Sequence, residues 1–503
     1  MMWTPTIVGV ARGRQMNAVT VTVERRRWLA LLVLCLGSLM IVLDGTIVNV
    51  ALPSIRADLG FSETSLAWVA NVYMLTFGGF LLLAGRIGDL FGHRRLFLIG
   101  LTVFTSASLA CGLADSPEFL IGARAVQGLG GAVVSVVSLS LIMTMFTEPA
   151  ERAKAMGFIG FVIAGGGSVG VLLGGVLTGA LNWHWIFLVN IPIGVAVIAA
   201  CLILLPPAAG QGGTGRLDVA GSVTVTAALV IAVYAIMDGN HAGWGSVRTI
   251  GLLGVALAIL VVFLRIETRA TSPVIPLALF RLRSVAAANV VGMLWAAAMF
   301  AWFFLSALYL QLVLGYSPLA VGLAFLPANL IMGAFSLGLS ERIVLRFGTR
   351  VPLAIGMLLV AASLTLFARA PVSGNYAVDV LPGMILLGLG MGVSLNPVLL
   401  AAMSEVDPSE VGVASGVANT SFMMGGALGL ALLASLADAR TSGLAAAGVD
   451  RLAALTGGYH AAFVVGAVFA ATAAALGALL LPSGAVPQFR EEPDVMIAHA
   501  AVD

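Results

Sequence analysis

The sequence is poor in charge: charged residues make up 10% of its 503 positions, whereas hydrophobic residues make up 60%. A soluble domain carries about 25% charged residues because its surface faces water. A folded chain with so little charge has to expose most of its surface to lipid. The composition therefore excludes an ordinary soluble protein.

Lysine is nearly absent, since Lys154 is the single lysine among 25 basic residues. An ATP-driven pump needs a lysine in its phosphate-binding loop, and the chain offers no soluble domain to hold a nucleotide. No nucleophile–base pair or metal-ligand spacing indicates a membrane enzyme, and no basic and aromatic cluster indicates a nucleic-acid partner. We expect no cofactor and no metal. The three cysteines lie in apolar runs, which is typical of buried hydrophobic residues: Cys35, Cys111 and Cys201.

Apolar stretches long enough to cross a bilayer, about 20 residues each, recur fourteen times along the chain. Charged residues, prolines and glycines separate them. Residues 1–24 lack the apolar core of a secretory signal peptide, and Met16 is an alternative start. The predicted spans are 28–51, 65–84, 96–114, 118–143, 153–180, 185–205, 218–237, 248–266, 286–311, 318–340, 351–369, 380–403, 411–437 and 458–481.

The distribution of basic residues orients these spans. With both termini in the cytoplasm, nineteen of the 25 lysines and arginines fall on the cytoplasmic side and five on the outer side. Cytoplasmic loops carry such an excess in multi-pass proteins. The sequence thus predicts a multi-pass protein of a bacterial inner membrane with cytoplasmic termini.

A short internal repeat divides the chain into two halves. The segment RIGDLFGHR at 86–94 matches RIVLRFGTR at 342–350, and each copy follows the second span of a six-span group. Repeated halves are typical of transporters that rock about a site at the interface of the halves. The predicted parts are a cytoplasmic N-terminal segment (1–27), a six-helix bundle (28–205), an inserted two-helix hairpin (218–266), a second six-helix bundle (286–481) and a cytoplasmic tail (482–503).

Two charged residues lie deep inside predicted spans, away from the span ends: Asp44 in the first and Arg124 in the fourth. A carboxylate at the bilayer centre costs about 2.5–3.5 kcal/mol even on an insertion scale, so such residues are candidates for function. Both residues are predicted at similar depth, and pairing would lower the cost of each. The pair is either a static salt bridge that joins two helices or a carboxylate that exchanges a proton when its surroundings change.

Several segments resemble one family. LDGTIVNVALP at 43–53, GRIGDLFGHRR at 85–95, LIGARAVQGLGGA at 120–132 and WHWIFLVNIPIG at 183–194 are similar to motifs of the fourteen-span drug:proton antiporters (EmrB/QacA type) of the major facilitator superfamily. The resemblance implies an all-α membrane protein of two six-helix bundles plus two extra helices, active as a monomer. It also implies efflux by alternating access, with Asp44 and Arg124 in proton coupling.

Two further motifs follow from this resemblance. In the first, a cytoplasmic gate, Asp89 would cap a helix end and pair with an arginine; Leu90 and His93 stand where basic residues are usual. The predicted gate residues are Gly85, Asp89, Gly92, Arg94 and Arg95. The second is the fifth-span antiporter motif, in which glycines at every fourth position leave a smooth face for close helix contact, although Val171 replaces the usual proline. Its residues are Gly166, Gly170, Gly174 and Gly175.

The predicted spans contain no acidic residue near the bilayer middle apart from Asp44. A doubly charged cation in a cavity of low dielectric needs two compensating charges, so we expect neutral or monocationic lipophilic substrates. The alternative is that carboxylates at the span ends suffice for dications. The cavity is expected to include the amides Asn49, Gln127, Asn289, Gln311, Asn329, Asn396 and Asn419.

Broad drug export is not the single interpretation that these patterns allow. A channel or sensor would fit the composition, but the repeat and the motifs argue against it. Export of one endogenous product, such as an antibiotic, a siderophore or a lipid, fits the same residues as drug efflux does. The aromatic residues of the ninth span are expected to be packing or lipid-facing residues.

Overall fold

The computed structural model describes residues 8–205, 218–270, 273–335, 339–407 and 410–481, which form helices and turns without any β-strand. We label the fourteen long helices in chain order. They are α1 Val8–Leu59, α2 Trp68–Phe91, α3 His93–Gly112, α4 Pro117–Met145, α5 Pro149–Ala180, α6 Asn190–Leu204, α7 Val219–Ala242, α8 Val247–Glu267, α9 Arg283–Leu308, α10 Pro318–Ala334, α11 Arg350–Phe367, α12 Leu381–Met403, α13 Val411–Ala446 and α14 Arg451–Leu480.

Each predicted span falls on one of these helices, so the predicted all-α membrane architecture is confirmed. Thirteen helices of the described ranges are long and apolar enough to cross a membrane. The fourteenth, α10, has 17 residues and contains Pro327. Of the predicted span 318–340, residues 336–338 lie outside the described part, and a further helix, Ser340–Phe347, follows them.

Several helix boundaries differ from the predicted ones. Helix α1 continues through Pro53 to Leu59, although the first apolar run ends at 51. Helix α13 likewise continues to Ala446. An apolar run predicts only the part of a helix that lies in the hydrocarbon core of the bilayer. A helix can continue into the membrane–water interface because its backbone groups stay hydrogen-bonded. The predicted span 185–205 is interrupted at Val189, between a short helix, Trp185–Leu188, and α6.

The helices form two groups that meet along two seams. In the first group, α1 packs on α5 and α6, and α4 packs on α2 and α3. In the second group, α9 packs on α13 and α14, and α11 packs on α12 and α14. The seams run between α5 and α10 and between α2 and α13. Most contacts between the two groups therefore involve these four helices, and α1 adds smaller contacts with α9 and α10.

The hairpin α7–α8 lies beside the α2–α13 seam. Helix α7 packs on both α2 and α13. A β-carbon on Gly79 of α2 would overlap the Thr226 hydroxyl of α7. At the other end of α7, Asn240 Nδ2 donates to the Ser435 carbonyl of α13 at 2.6 Å. The first hairpin helix thus contacts one helix of each group.

Both copies of the repeat seen in the sequence end a helix at a glycine with a positive φ angle. Gly92 and Gly348 have φ angles of 92° and 72°, which residues with a β-carbon rarely adopt. Each amide N–H donates to the carbonyl four residues earlier, Gly88 at 2.9 Å and Val344 at 2.8 Å. Glycine is required at both positions because each closes one helix before the next begins.

Candidate functional site

Asp44 and Arg124 meet in the interior of the first helix group. Asp44 has no exposed surface and Arg124 is 1% exposed. Arg124 Nη1 donates a hydrogen bond to Asp44 Oδ2 and forms an ion pair with it. An isolated buried charge is very costly, whereas a paired and hydrogen-bonded one is tolerated. The structure therefore joins α1 and α4 through the two charges that the sequence singled out.

Two amides complete the shell of Asp44. Gln127 Nε2 donates to Asp44 Oδ1 at 2.7 Å, and Asn190 Nδ2 donates to the same oxygen at 3.1 Å. Gln127 Nε2 also lies 2.8 Å from Ser108 Oγ on α3. We call the five residues Asp44, Ser108, Arg124, Gln127 and Asn190 the Asp44 network. It connects α1, α3, α4 and α6 without exposing any of its side chains by more than 1%.

Arg124 is held by more than the carboxylate. Its Nε donates to the Val69 carbonyl of α2 at 3.0 Å, and Nη1 donates to Gln127 Oε1 at 2.7 Å. The guanidinium lies 4.2 Å from the ring centroid of Tyr73 and 5.6 Å from that of Phe187. A cation over an aromatic face is stabilised most where water is excluded. The arginine is thereby fixed to α2 even without its salt bridge.

Local sequence explains how these side chains converge. Arg124 and Gln127 are three residues apart on α4, a spacing that places both on one helix face. Asn190 is the first residue of α6, directly after the interruption at Val189. On the two sides of this interruption, the Asn190 amide reaches Asp44 and the ring of Phe187 reaches Arg124.

The hydrogen bonds of Asp44 define what the site can do chemically. Its two oxygens accept from three donors, which leaves about one of their four lone-pair sites for a proton. Protonation would remove the negative charge and so weaken the hydrogen bonds from Arg124 and Gln127 on α4 and from Asn190 on α6. Protonation of this group would thus alter contacts between helices.

The glycines of the fifth-span motif lie against two different helices. β-Carbons on Gly166, Gly170 and Gly174 would contact side chains or backbone of α1, and one on Gly175 would lie 2.6 Å from the Pro318 carbonyl of α10. The absence of side chains lets the helices approach closely. Helix α5 therefore contacts the helix of Asp44 on one side and the second helix group on another.

The predicted gate residues occupy the α2–α3 turn. Arg94 Nη2 donates to the Leu202 carbonyl near the end of α6 at 2.9 Å. Gly92 forms the turn, a β-carbon on Gly85 would lie 3.1 Å from Val136 of α4, and Arg95 is exposed. The side chain of Asp89 lies outside the described part, so its predicted pairing stays a prediction. Arg94 binds within its own helix group.

The amides predicted to line a substrate cavity are dispersed. Gln127 belongs to the Asp44 network, and Gln311 Nε2 donates to the Val50 carbonyl of α1 at 2.9 Å. Asn49 and Asn419 bond to carbonyls of their own helices. Three others lie in the second helix group: Asn289 and Asn329 are buried, and Asn396 is half-buried. Asn289 Oδ1 and Asn329 Nδ2 have no hydrogen-bond partner among the described residues.

Three contributors to the site were not predicted from the sequence: Asn190, Ser108 and the ring of Tyr73. Asn190 carries a usable signal, because it is an amide in the otherwise apolar run 185–205. Serine and tyrosine are common in membrane helices, and nothing in their spacing indicates a contact with Asp44.

Comparison with known proteins identifies relatives over most of the chain. The family model for the Major Facilitator Superfamily matches residues 34–430. Puromycin resistance protein pur8 of Streptomyces alboniger is 39% identical over 461 residues, covering 91% of this chain and 90% of that protein. Cephamycin export protein CmcT of Amycolatopsis lactamdurans is 38% identical over 454 residues, covering 90% and 92%.

A third relative and a solved structure extend the comparison. The tetracenomycin C resistance and export protein of Streptomyces glaucescens is 34% identical over 417 residues, covering 82% of this chain and 77% of that protein. A crystal structure of a mutant nucleoside transporter NupG superposes with a TM-score of 0.63, covering 89% of this chain and 98% of the other at 12% identity. At that identity the likeness concerns the fold alone.

Proposed function

The chain belongs to the Major Facilitator Superfamily, and on that premise we propose that it exports small lipophilic compounds, neutral or monocationic, in exchange for protons. Its relatives include antibiotic resistance and export proteins, which supports efflux. The proton is the proposed coupling ion, and no enzymatic step is involved. The proposed location is the inner membrane of a bacterium, where the protein works as a monomer.

The observation that carries the proposal is the enclosure of Asp44. Its carboxylate is fully buried, and all its donors come from other helices: Arg124 and Gln127 on α4, and Asn190 on α6. A proton that binds or leaves this group changes the contacts among α1, α4 and α6. A ligand shifts a conformational equilibrium only through such differences between states. The network is suited to couple a proton to helix movement.

The seams support alternating access. At the end of α5 that is predicted to face outward, Gly175 lies against Pro318 and Leu319 of α10. Beside this contact, Gln311 bonds to the carbonyl of Val50. Contact between the helix groups at this predicted outer end fits a state whose outer side is closed.

The proposed substrate class follows from the charges that the spans lack. Asp44 is already engaged by Arg124, and the other acidic residues of the sequence lie near predicted span ends. Beside the α2–α13 seam, Trp295 and Phe422 are buried with ring centroids 5.4 Å apart, and the half-buried Met423 lies against Gly78. Methionine side chains adapt to varied apolar ligands.

A second candidate is a dedicated exporter of one endogenous product. The names of two relatives, cephamycin export protein CmcT and the tetracenomycin C resistance and export protein, favour it. Both candidates share the proton-coupled mechanism and differ in breadth of substrate. Resistance profiles of an efflux-deficient host that carries the gene separate them: protection against many unrelated lipophiles favours broad efflux, and protection against one chemical family favours the dedicated exporter.

Efflux of a fluorescent substrate from intact cells tests the energy source. A protonophore should stop efflux while cellular ATP is kept high. If efflux continues without a proton gradient and ceases when ATP is depleted, the proposal is wrong. Cells without the gene provide the baseline for passive leakage of the dye.

A further inference from the structure

Two carboxyl groups come together at the base of the inserted hairpin. Asp218 directly precedes α7, and its Oδ1 accepts a hydrogen bond of 2.7 Å from the amide of Gly221. Glu267 ends α8 and is 4% exposed. Its Oε2 accepts a hydrogen bond of 3.3 Å from the amide of Ile275, in the connector to α9. In each carboxyl group, one oxygen thus accepts a hydrogen bond from a backbone amide.

The second oxygen of each group is buried without a donor. Within the described ranges, Asp218 Oδ2 and Glu267 Oε1 have no hydrogen-bond partner. They lie 2.6 Å and 2.8 Å from the place that a β-carbon on Gly221 would occupy. Both oxygens therefore face the same small space, which the glycine leaves open.

No described cation neutralises this pair. The connector residues 273–276 carry no charge. The charged side chains on neighbouring elements at this end are exposed, namely those of Arg86, Arg265, Arg269, Arg281, Arg283 and Glu410. Two ionised carboxylates in a shared buried space repel each other, and each loses several kcal/mol of hydration. Something has to supply a positive charge or a donor between them.

We propose that Asp218 and Glu267 together bind one exchangeable proton, held between Asp218 Oδ2 and Glu267 Oε1. One proton removes one of the two negative charges and supplies the missing donor in an O–H···O⁻ hydrogen bond, which is short and strong. A bound metal is less suitable, because Ca²⁺ takes about six to eight oxygen ligands. Within the described ranges, no group of three or more His, Cys, Asp or Glu side chains could hold a metal ion.

The proton has a structural consequence for the hairpin. Ile275, which Glu267 holds, packs with Val225 of α7, Phe263 of α8 and Met424 of α13. When the proton leaves, repulsion between the carboxylates weakens the hold of Glu267 on the Ile275 amide. The pair is therefore a proton-dependent clasp between the hairpin and the connector that leads into the second helix group. It shares no residue with the Asp44 network and does not depend on proton coupling at Asp44.

Infrared difference spectroscopy on the full-length protein in lipid nanodiscs detects the proton directly. In an Asp44→Asn background, the carbonyl band of a protonated carboxyl group should be present at neutral pH and disappear at alkaline pH. Glu267→Gln should abolish this band, whereas Glu410→Gln, which changes an exposed carboxylate at the same end, should leave it. A band that survives Glu267→Gln, or no such band in the parent, overturns the proposal. A metal site would also overturn the proposal. Its sign would be a carboxylate band that shifts on addition of Mg²⁺ or Ca²⁺ in the parent and does not shift in Glu267→Gln.

Hydrogen exchange at the Ile275 amide provides a second test. Glu267→Gln keeps an acceptor for this amide, and its side-chain N–H₂ can donate to Asp218, so the variant imitates the protonated pair and should fold. After correction for intrinsic rates, alkaline pH should speed exchange roughly tenfold or more in the parent, as loss of a hydrogen bond to a charged group implies. Exchange in the variant should not respond. Equal responses in both proteins contradict the clasp.

Discussion

Thr46 lies so close to Gly170 that a β-carbon at position 170 would overlap the threonine hydroxyl. Thr46 follows Asp44 by two residues on α1, and its hydroxyl donates to the Val42 carbonyl at 3.0 Å. The helix that carries the buried carboxylate is therefore in direct contact with α5, which packs on α10 at its other face. In the proposed mechanism, a change at Asp44 reaches the seam between the helix groups through contacts of this kind between α1 and α5.

A matched pair of glycine substitutions tests that contact. Gly170→Ala should displace α1 from α5 and cost about 1–3 kcal/mol, as overpacking does. Gly165→Ala places the same methyl group in open space on the same helix and should be neutral or slightly stabilising. Thermal unfolding of the purified variants measures their stability, and initial export rates in proteoliposomes measure their activity. Equal behaviour of the two variants would show that the contact is unimportant.

Removal of one buried charge should harm folding more than removal of both. Arg124→Ala leaves Asp44 buried without its cation, which typically costs about 3–5 kcal/mol. The double variant Asp44→Asn/Arg124→Gln removes both charges and should be more stable than Arg124→Ala, although it should not export. Thermal unfolding of the single and double variants shows whether the effects of the two substitutions on stability depend on each other. A double variant that is less stable than both Arg124→Ala and Asp44→Asn would contradict the pairing argument.

The helices were predictable from sequence because each apolar run reports directly on burial in lipid. Helix ends were less predictable. Helix α1 continues through Pro53, and the composition of an apolar run does not show where helical hydrogen bonding stops. The break at Val189 was missed because residues 185–205 are apolar on both sides of it. Asn190, which bonds to Asp44, directly follows that break.

The sequence predicted the charged residues of the site, but it did not predict the roles of the amide side chains. Asp44 and Arg124 stand out because an unpaired charge in hydrocarbon is costly, so each implies a partner. An amide is tolerated at many places, and its role depends on which neighbour tertiary packing brings within reach. Gln127 and Gln311 illustrate this: the first binds Asp44, and the second bonds to α1 across the seam.

A disulfide between α5 and α10 tests whether their predicted outer ends separate during transport. A β-carbon on Gly179 would lie 3.9 Å from Leu319 Cβ, a separation that a disulfide spans. In a variant without the native cysteines, Gly179→Cys/Leu319→Cys should cross-link under oxidation and lose export. Reduction should restore export, and Gly179→Cys alone should not respond to oxidant. Full export by the cross-linked protein would exclude opening at this seam.

Substrate charge should matter more than substrate size. A monovalent lipophilic dye should be exported against a gradient, whereas a divalent dye of matched size and polarity should be exported at least about tenfold more slowly, the ratio expected for a loss of about 1.4 kcal/mol. Parallel export assays in the same cells measure the ratio. Comparable proton-coupled export of both dyes would show that carboxylates at the span ends suffice for dications.

Substrate movement driven by an imposed pH gradient in proteoliposomes tests the central role of Asp44 most directly. The wild-type protein should move a lipophilic monocation uphill against the proton flux, without ATP. Asp44→Asn removes titration but keeps the size of the side chain, and Arg124 keeps its bonds to Val69 and Gln127. The reconstituted variant should lose all uphill movement and retain only downhill exchange. Asp115→Asn changes an exposed carboxylate and should behave as wild type. Uphill movement by Asp44→Asn at the wild-type rate would contradict the account, because the coupling proton would then bind elsewhere.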